Sequence, residues 1–136
     1  MKGLSEAIDF KFDSMRGKTY LDFYGDLSDV DPAVIELYDR WDKKALAAGM
    51  SFHIVIPHKT KGDWKTEILN GAHALSGQVA MKELEQYTYP GNISIEIAET
   101  FVRIGDAKNV TATIIDDQKT ADALRHIFEI AWNSGI

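Results

Sequence analysis

Thr19-Tyr20-Leu21-Asp22-Phe23-Tyr24-Gly25-Asp26, then Asp31-Pro32, then Met50-Ser51-Phe52-His53-Ile54-Val55-Ile56-Pro57 is the stretch that decides the fold class. Its first run is rich in aromatic and β-branched residues and stops at a Gly-Asp turn, as a strand does. Asp31 is a favoured helix N-cap, and Pro32 at the first helical position gives up no needed hydrogen bond. Val34, Leu37, Tyr38, Trp41 and Ala45 follow at i, i+3, i+4, i+7 and i+11, a helical stripe turned to a core. Gly49 supplies the left-handed stop. The second strand, Met50 to Ile56, ends at Pro57, with Phe52, Ile54 and Ile56 on one face and His53 and Val55 on the other. Strand, helix, strand in that order implies parallel pairing through a right-handed crossover.

Outward from this unit the pattern stays mixed. Upstream, Leu4, Ala7, Ile8 and Phe12 are close to helical spacing, which fits a short helix or the remnant of a linker; Arg16-Gly17-Lys18 is a turn. Downstream, a helix is expected from near Asp63 past Leu75, interrupted at Ser76-Gly77. Val79 to Tyr87 suits either helix or strand, with a third strand the preferred reading. After Pro90-Gly91 come Ser94-Ile95-Glu96-Ile97, Thr100 to Ile104 and Val110 to Ile115, separated by turn residues and read as consecutive, partly antiparallel strands. A last helix starts at Gln118 or Thr120, its buried stripe Ala121, Leu124, Phe128 and Ala131 widened by Ile127 and Trp132, and ends at Gly135. The expected architecture is α/β, a mixed sheet flanked by helices, in one domain spanning residues 1–136.

Composition narrows the function. The chain has 136 residues, 45% hydrophobic and 26% charged, enough to bury one core. A formal net charge of −6, with His58-Lys59-Thr60-Lys61 as its one basic cluster, argues against direct grip on nucleic acid. No apolar run approaches a membrane span, and the absence of cysteine removes disulfides, thiol nucleophiles and thiolate-bound metals. A cytoplasmic protein is the expectation. His53, His58, His73 and His126 have no metal-ligand spacing, no Gly-rich phosphate cradle occurs, and no serine sits in a nucleophile elbow; no metal and no cofactor is expected.

Two loops hold the candidate chemistry. Gly25-Asp26 follows the first strand and His58-Lys59 the second, and in an open parallel sheet the crevice at those carboxyl ends binds ligands. Tyr24, Asp26, His58, Lys59 and Lys61 are therefore candidate ligand-binding residues, with none assigned as catalytic. Trp64 joins them, either capping a ligand or anchoring the start of its helix. Tyr20, Asp22 and Tyr24 share a face of the first strand that is too polar for a central strand covered on both sides; it lines a cavity or meets another subunit.

The run Ile93 to Ile97, Phe101-Val102-Arg103-Ile104, Ala112-Thr113-Ile114-Ile115-Asp116-Asp117 and Ala121 to Trp132 resembles the regulatory half of archaeal TrmB-like transcriptional regulators. Their sensor region has a phospholipase-D-like fold, with an acid-ended strand followed by a helix closing on Phe-x-x-x-Trp, here Phe128 to Trp132. The segment Tyr20 to Pro57 is similar to the first βαβ unit of that fold. The phospholipase-D enzymes need H-x-K-x4-D, and here Thr60 stands at the lysine position after His58. The resemblance therefore implies a non-catalytic effector-binding domain that acts as a homodimer, on a small-molecule effector, without touching nucleic acid itself. Any DNA-binding part is expected on another segment or chain, unless the domain is a free-standing sensor or dimerisation unit. The alternative is a small hydrolase or phosphodiesterase using His58 with Lys59 or Lys61 on an anion.

Overall fold

A computed structural model describes residues 2–25, 29–57, 77–84 and 92–134. Helix α1 (Lys2–Ile8) and a 3-10 turn (Phe12–Met15) open the chain, joined through Lys11 in a left-handed conformation. Leu4, Ile8, Phe12 and Met15 are all buried, so this segment belongs to the core and is no linker remnant. Strand β1 (Thr19–Phe23) follows, then α2 (Pro32–Ala47), whose N-cap Asp31 accepts from the Ala33 N–H at 2.9 Å. Gly49 turns the chain at φ 80°, a conformation open to glycine at little cost, and β2 (Ser51–Pro57) begins two residues on. Strands β3 (Val79–Leu84), β4 (Ile93–Ile97), β5 (Val102–Asp106) and β6 (Thr111–Ile115) precede the final helix α3 (Gln118–Asn133). The helix expected from Asp63 and the end of the Val79–Tyr87 segment lie outside the described residues, as does Gly135.

One six-stranded mixed sheet runs in the order β3-β2-β1-β4-β5-β6. Strands β1, β2 and β3 are parallel, while β1/β4, β4/β5 and β5/β6 are antiparallel. Pairing of Phe52 with Val79 through Pro57 with Leu84 settles residues 79–84 as a strand. The strand period of two gives each face its own core. Tyr20, Phe52, Ile54 and Ile56 pack beneath α1 and α2, together with Trp41 and Phe101. Val55, Ile97 and Val102 pack beneath α3 with Ala121 and Phe128.

The stripe of α3 is narrower than the sequence suggested. Phe128 stacks on Trp132 at 5.6 Å, and Trp132 stacks in turn on His53 of β2 at 5.2 Å. Ile127 stays 55% exposed and Ile130 72%, because each lies on the solvent side of that ridge, about 100° per residue around the helix. Among the described residues no helix is long and apolar enough to cross a membrane.

Candidate functional site

Register across the sheet sets up the site. On the α2 side one row reads Met81, Ile54, Asp22, Glu96, Arg103, Ile114 from β3 to β6, each residue opposite the next. Two carboxyls and a guanidinium thus sit side by side in the middle of an otherwise apolar row. All three are buried: Asp22 is 3% exposed, Glu96 9% and Arg103 0%. Buried charge is tolerated only where it is paired and hydrogen-bonded.

Arg103 meets that requirement almost completely. Its Nε and Nη2 donate to Glu96 Oε1 and Oε2 at 3.0 and 2.8 Å, the forked geometry arginine makes with a carboxylate. Its Nη1 donates to the carbonyls of Ala7 and Ile8 at 3.1 and 2.8 Å where α1 ends, the Ala7 carbonyl also accepting from the Phe10 N–H at 3.2 Å. The guanidinium also lies 5.1 Å from the Trp41 ring and 5.5 Å from the Tyr20 ring. Burial pulls its pKa down, but the Glu96 carboxylate outweighs burial and holds it above that of an ordinary arginine.

Asp22 has no such partner. Its Oδ1 is buried without a hydrogen bond, as are the Tyr20 hydroxyl and the Trp41 Nε1. Burial pushes the Asp22 carboxyl well above its ordinary 3.8; Glu96 and Asp42 push the same way, and Arg103 offsets only part of this. Asp42, on α2, is raised for the same reasons, burial first and then Glu96 and Asp39. Tyr20 is pushed up to about 12 by burial, and Tyr24 and Tyr38 also lie above the ordinary tyrosine value.

These groups surround a cavity between the sheet and α2. Asp22, Tyr24, Tyr38, Trp41, Asp42 and Glu96 line it, with the partly exposed Asn92 and Ser94 also on its wall. The volume open to the centre of a water-sized sphere is about 20 Å³, room for one or two water molecules. Gly105 keeps that wall open, because a Cβ there would lie 3.1 Å from both the Tyr38 hydroxyl and Ser94 Oγ. Among the described residues no histidine, lysine or cysteine lines the cavity, and no group of three or more His, Cys, Asp or Glu side chains could hold a metal ion. Among the described residues the cavity brings together carboxyls raised by burial, Asp22 and Asp42, with the hydroxyls of Tyr24 and Tyr38.

Of the residues singled out by sequence, Tyr24 is on the cavity wall; Asp26, His58, Lys59, Lys61 and Trp64 lie outside the described residues. Strands β1 and β2 do end side by side, with the Tyr24 N–H donating to the Val55 carbonyl at 3.0 Å. The polar face of β1 resolves as a cavity wall covered by α2 of the same chain. Sequence reasoning passed over Tyr38 and Trp41 as core and did not single out Asp42, Glu96 or Arg103. The signal was weak: Glu96 between Ile95 and Ile97, and Arg103 between Val102 and Ile104, fit the alternation of a strand with one solvated face, and their burial exists only once helices cover that face.

No family model matches this chain, and no curated protein does. Among solved structures eight chains match. One is the crystal structure of a phospholipase D family member, Nuc from Salmonella typhimurium, at a TM-score of 0.57 and 17% sequence identity, over 98% of this chain and 86% of that one. Likeness at that identity speaks for architecture alone: the mixed six-stranded sheet with helices on both faces is a phospholipase-D-like fold.

Proposed function

We propose that this chain is a non-catalytic, cytoplasmic ligand-sensing domain of the transcription-regulator type, in which occupancy of the cavity beneath α2 biases the arrangement of a homodimer. The observation that carries the reading is the buried Asp22 carboxyl, its Oδ1 unpartnered, on the wall of a cavity lined with polar side chains. A buried polar atom without a partner costs about 1–3 kcal/mol, and a ligand that supplies one recovers that cost on binding. The cavity holds only one or two water-sized groups, so anything larger enters by displacing α2 from the sheet. That displacement is the coupling: a ligand that favours one position of α2 shifts the population toward it. The regulatory context and the homodimer are what the resemblance of the sequence to TrmB-like sensor regions implies.

A thermal-shift screen of sugars, nucleotides, organic acids and amines tests the reading. A ligand at a hundred times its dissociation constant stabilises by about 2.7 kcal/mol, about 10 °C in a domain of this size. The shift is expected in wild type and not in Asp22→Asn. A screen in which nothing moves the melting temperature overturns sensing. Light scattering over a dilution series tests the dimer, and a single 15.2 kDa species at the highest concentration removes it. One observation favours a second reading, a phosphodiesterase using His58: the fold is shared with a phospholipase D family member. Turnover of a chromogenic phosphodiester that disappears in His58→Ala would establish that reading and sink the first.

A further inference from the structure

We propose that the cavity beneath α2 takes a primary ammonium group, with Asp22 and Asp42 as its carboxylate partners and Tyr24, Tyr38 and Trp41 as its aromatic walls. The inference rests on the ligand-sensing reading and names the class of ligand. Charge counting comes first. Three carboxyls meet at the cavity, and Arg103, the cation that acts on Asp22 and Asp42, is already committed to Glu96 and to the carbonyls of α1. Neither Asp22 nor Asp42 forms an ion pair among the described residues, and Asp22, 3% exposed, keeps an unpartnered oxygen. A buried carboxyl in that position is either protonated or met by a cation.

Size and wall chemistry then select the cation. One or two water-sized groups fit without moving α2, which matches a –NH₃⁺ head better than a trimethylammonium. Tyrosine and tryptophan faces attract such a head, and two carboxyls accept its charge-assisted hydrogen bonds. A bare metal ion is a poorer match, because Glu96 is taken by Arg103 and no group of three or more His, Cys, Asp or Glu among the described residues is placed to hold one.

The proton balance gives an independent signature. The groups that face Asp22 are Tyr20 on β1, Tyr24 just beyond its end, Glu96 on β4, Arg103 on β5, and Tyr38 and Asp42 on α2. The three tyrosines lie above the ordinary value and stay neutral, and Arg103 stays charged. An ammonium group entering the cavity favours the ionised form of Asp22 and Asp42, so protons leave as it binds and affinity rises with pH.

Calorimetric titration of the full chain with methylammonium chloride, in buffers of different ionisation enthalpy from about pH 4 to about pH 8, reads both binding and proton release. Tetramethylammonium chloride and sodium chloride at equal ionic strength are the comparisons. Saturable binding of methylammonium alone is expected, with proton release, tighter at the higher pH and about tenfold weaker in Asp42→Asn, the loss of one charge-assisted hydrogen bond. Asp42 is only partly buried, so this variant stays informative where Asp22→Asn fails to fold. Equal response to tetramethylammonium or sodium, unchanged affinity in Asp42→Asn, or no binding overturns the proposal. If amines fail while a sugar, nucleotide or acid stabilises wild type but not Asp22→Asn, sensing stands and the amine falls. If neither class binds, both fall.

Discussion

Arg103→Met is the substitution that separates the two tasks Arg103 performs. Methionine is long and unbranched, so it keeps much of the packing between Tyr20 and Trp41 and leaves little void. What it removes is the fork to Glu96 and the two bonds to the Ala7 and Ile8 carbonyls. Glu96 is then a buried carboxyl beside Asp22 with no cation, and breaking a buried pair from one side costs about 3–5 kcal/mol. Set against a total stability of about 5–15 kcal/mol, that change alone brings the domain close to unfolding. Glu96→Met combined with Arg103→Met removes the stranded charge as well. The loss that remains is the release of the α1 carbonyls, about 1–3 kcal/mol, so the double variant is expected to be more stable than the single one. Urea unfolding followed by tryptophan fluorescence measures both, since Trp41 touches the guanidinium. A single-variant cost below about 1 kcal/mol, as for an exposed pair, would refute the argument. So would a double variant that loses as much as the single one, because the fork would then contribute nothing separable.

Three further outcomes follow from the same structure. Asp22 and Asp42 have folded-state pKa values raised above the unfolded 3.8, so the folded state holds more protons between those limits. Stability from these two groups is therefore greatest in acid and is lost as pH rises from 3.8 through the folded values; Asp22→Asn should flatten that slope in pH-dependent melting, and an unchanged slope would refute the assignment. Phe128→Ala, at a fully buried position against Phe23, should cost about 3–5 kcal/mol in urea unfolding, and Trp132→Ala, only partly buried on His53 and Phe128, distinctly less; equal costs would mean α3 packs differently. Gly25→Ala would place a Cβ 2.6 Å from the Ile93 carbonyl oxygen, backbone that cannot swing aside, so a loss of about 1–3 kcal/mol is expected in the same assay, and a neutral result would show that the close approach of the two strands relaxes freely.

The order of elements was legible because it depends on short-range signals. Asp31-Pro32 marks a helix start in any context, Gly49 marks a stop, and the period-two faces of Phe52-Ile54-Ile56 and His53-Val55 appear in the structure on opposite cores. Val79 to Leu84 was ambiguous for an equally physical reason: Lys82 and Glu83 interrupt an apolar run too short for its period to tell helix from strand, and only pairing along β2 decides it. Ile127 was misread because a widened stripe on a helix wheel ignores which ridge reaches the sheet first; once Phe128 and Trp132 stack, the residue before Phe128 turns to solvent.

The site was legible only by half, and the missing half is charge. Alternation on β1 shows that Tyr20, Asp22 and Tyr24 share a face, and leaves open whether a cavity or another subunit covers it. That choice depends on how α2 crosses the sheet, and α2 brings Tyr38, Trp41 and Asp42 over the face within the same chain. With the polar strand covered by α2 of the same chain, that face gives no argument for a homodimer. Glu96 and Arg103 are seven residues apart in sequence and directly opposite in register, a relation that exists only once β4 and β5 pair. Each alone is a charge in an apolar strand. Side by side they form a neutral unit that caps α1, and beside them Asp22 is the carboxyl left over. The functional weight of the cavity comes from that remainder: one guanidinium shared among three carboxyls leaves an acidic excess under α2 that protonation or a bound cation must answer.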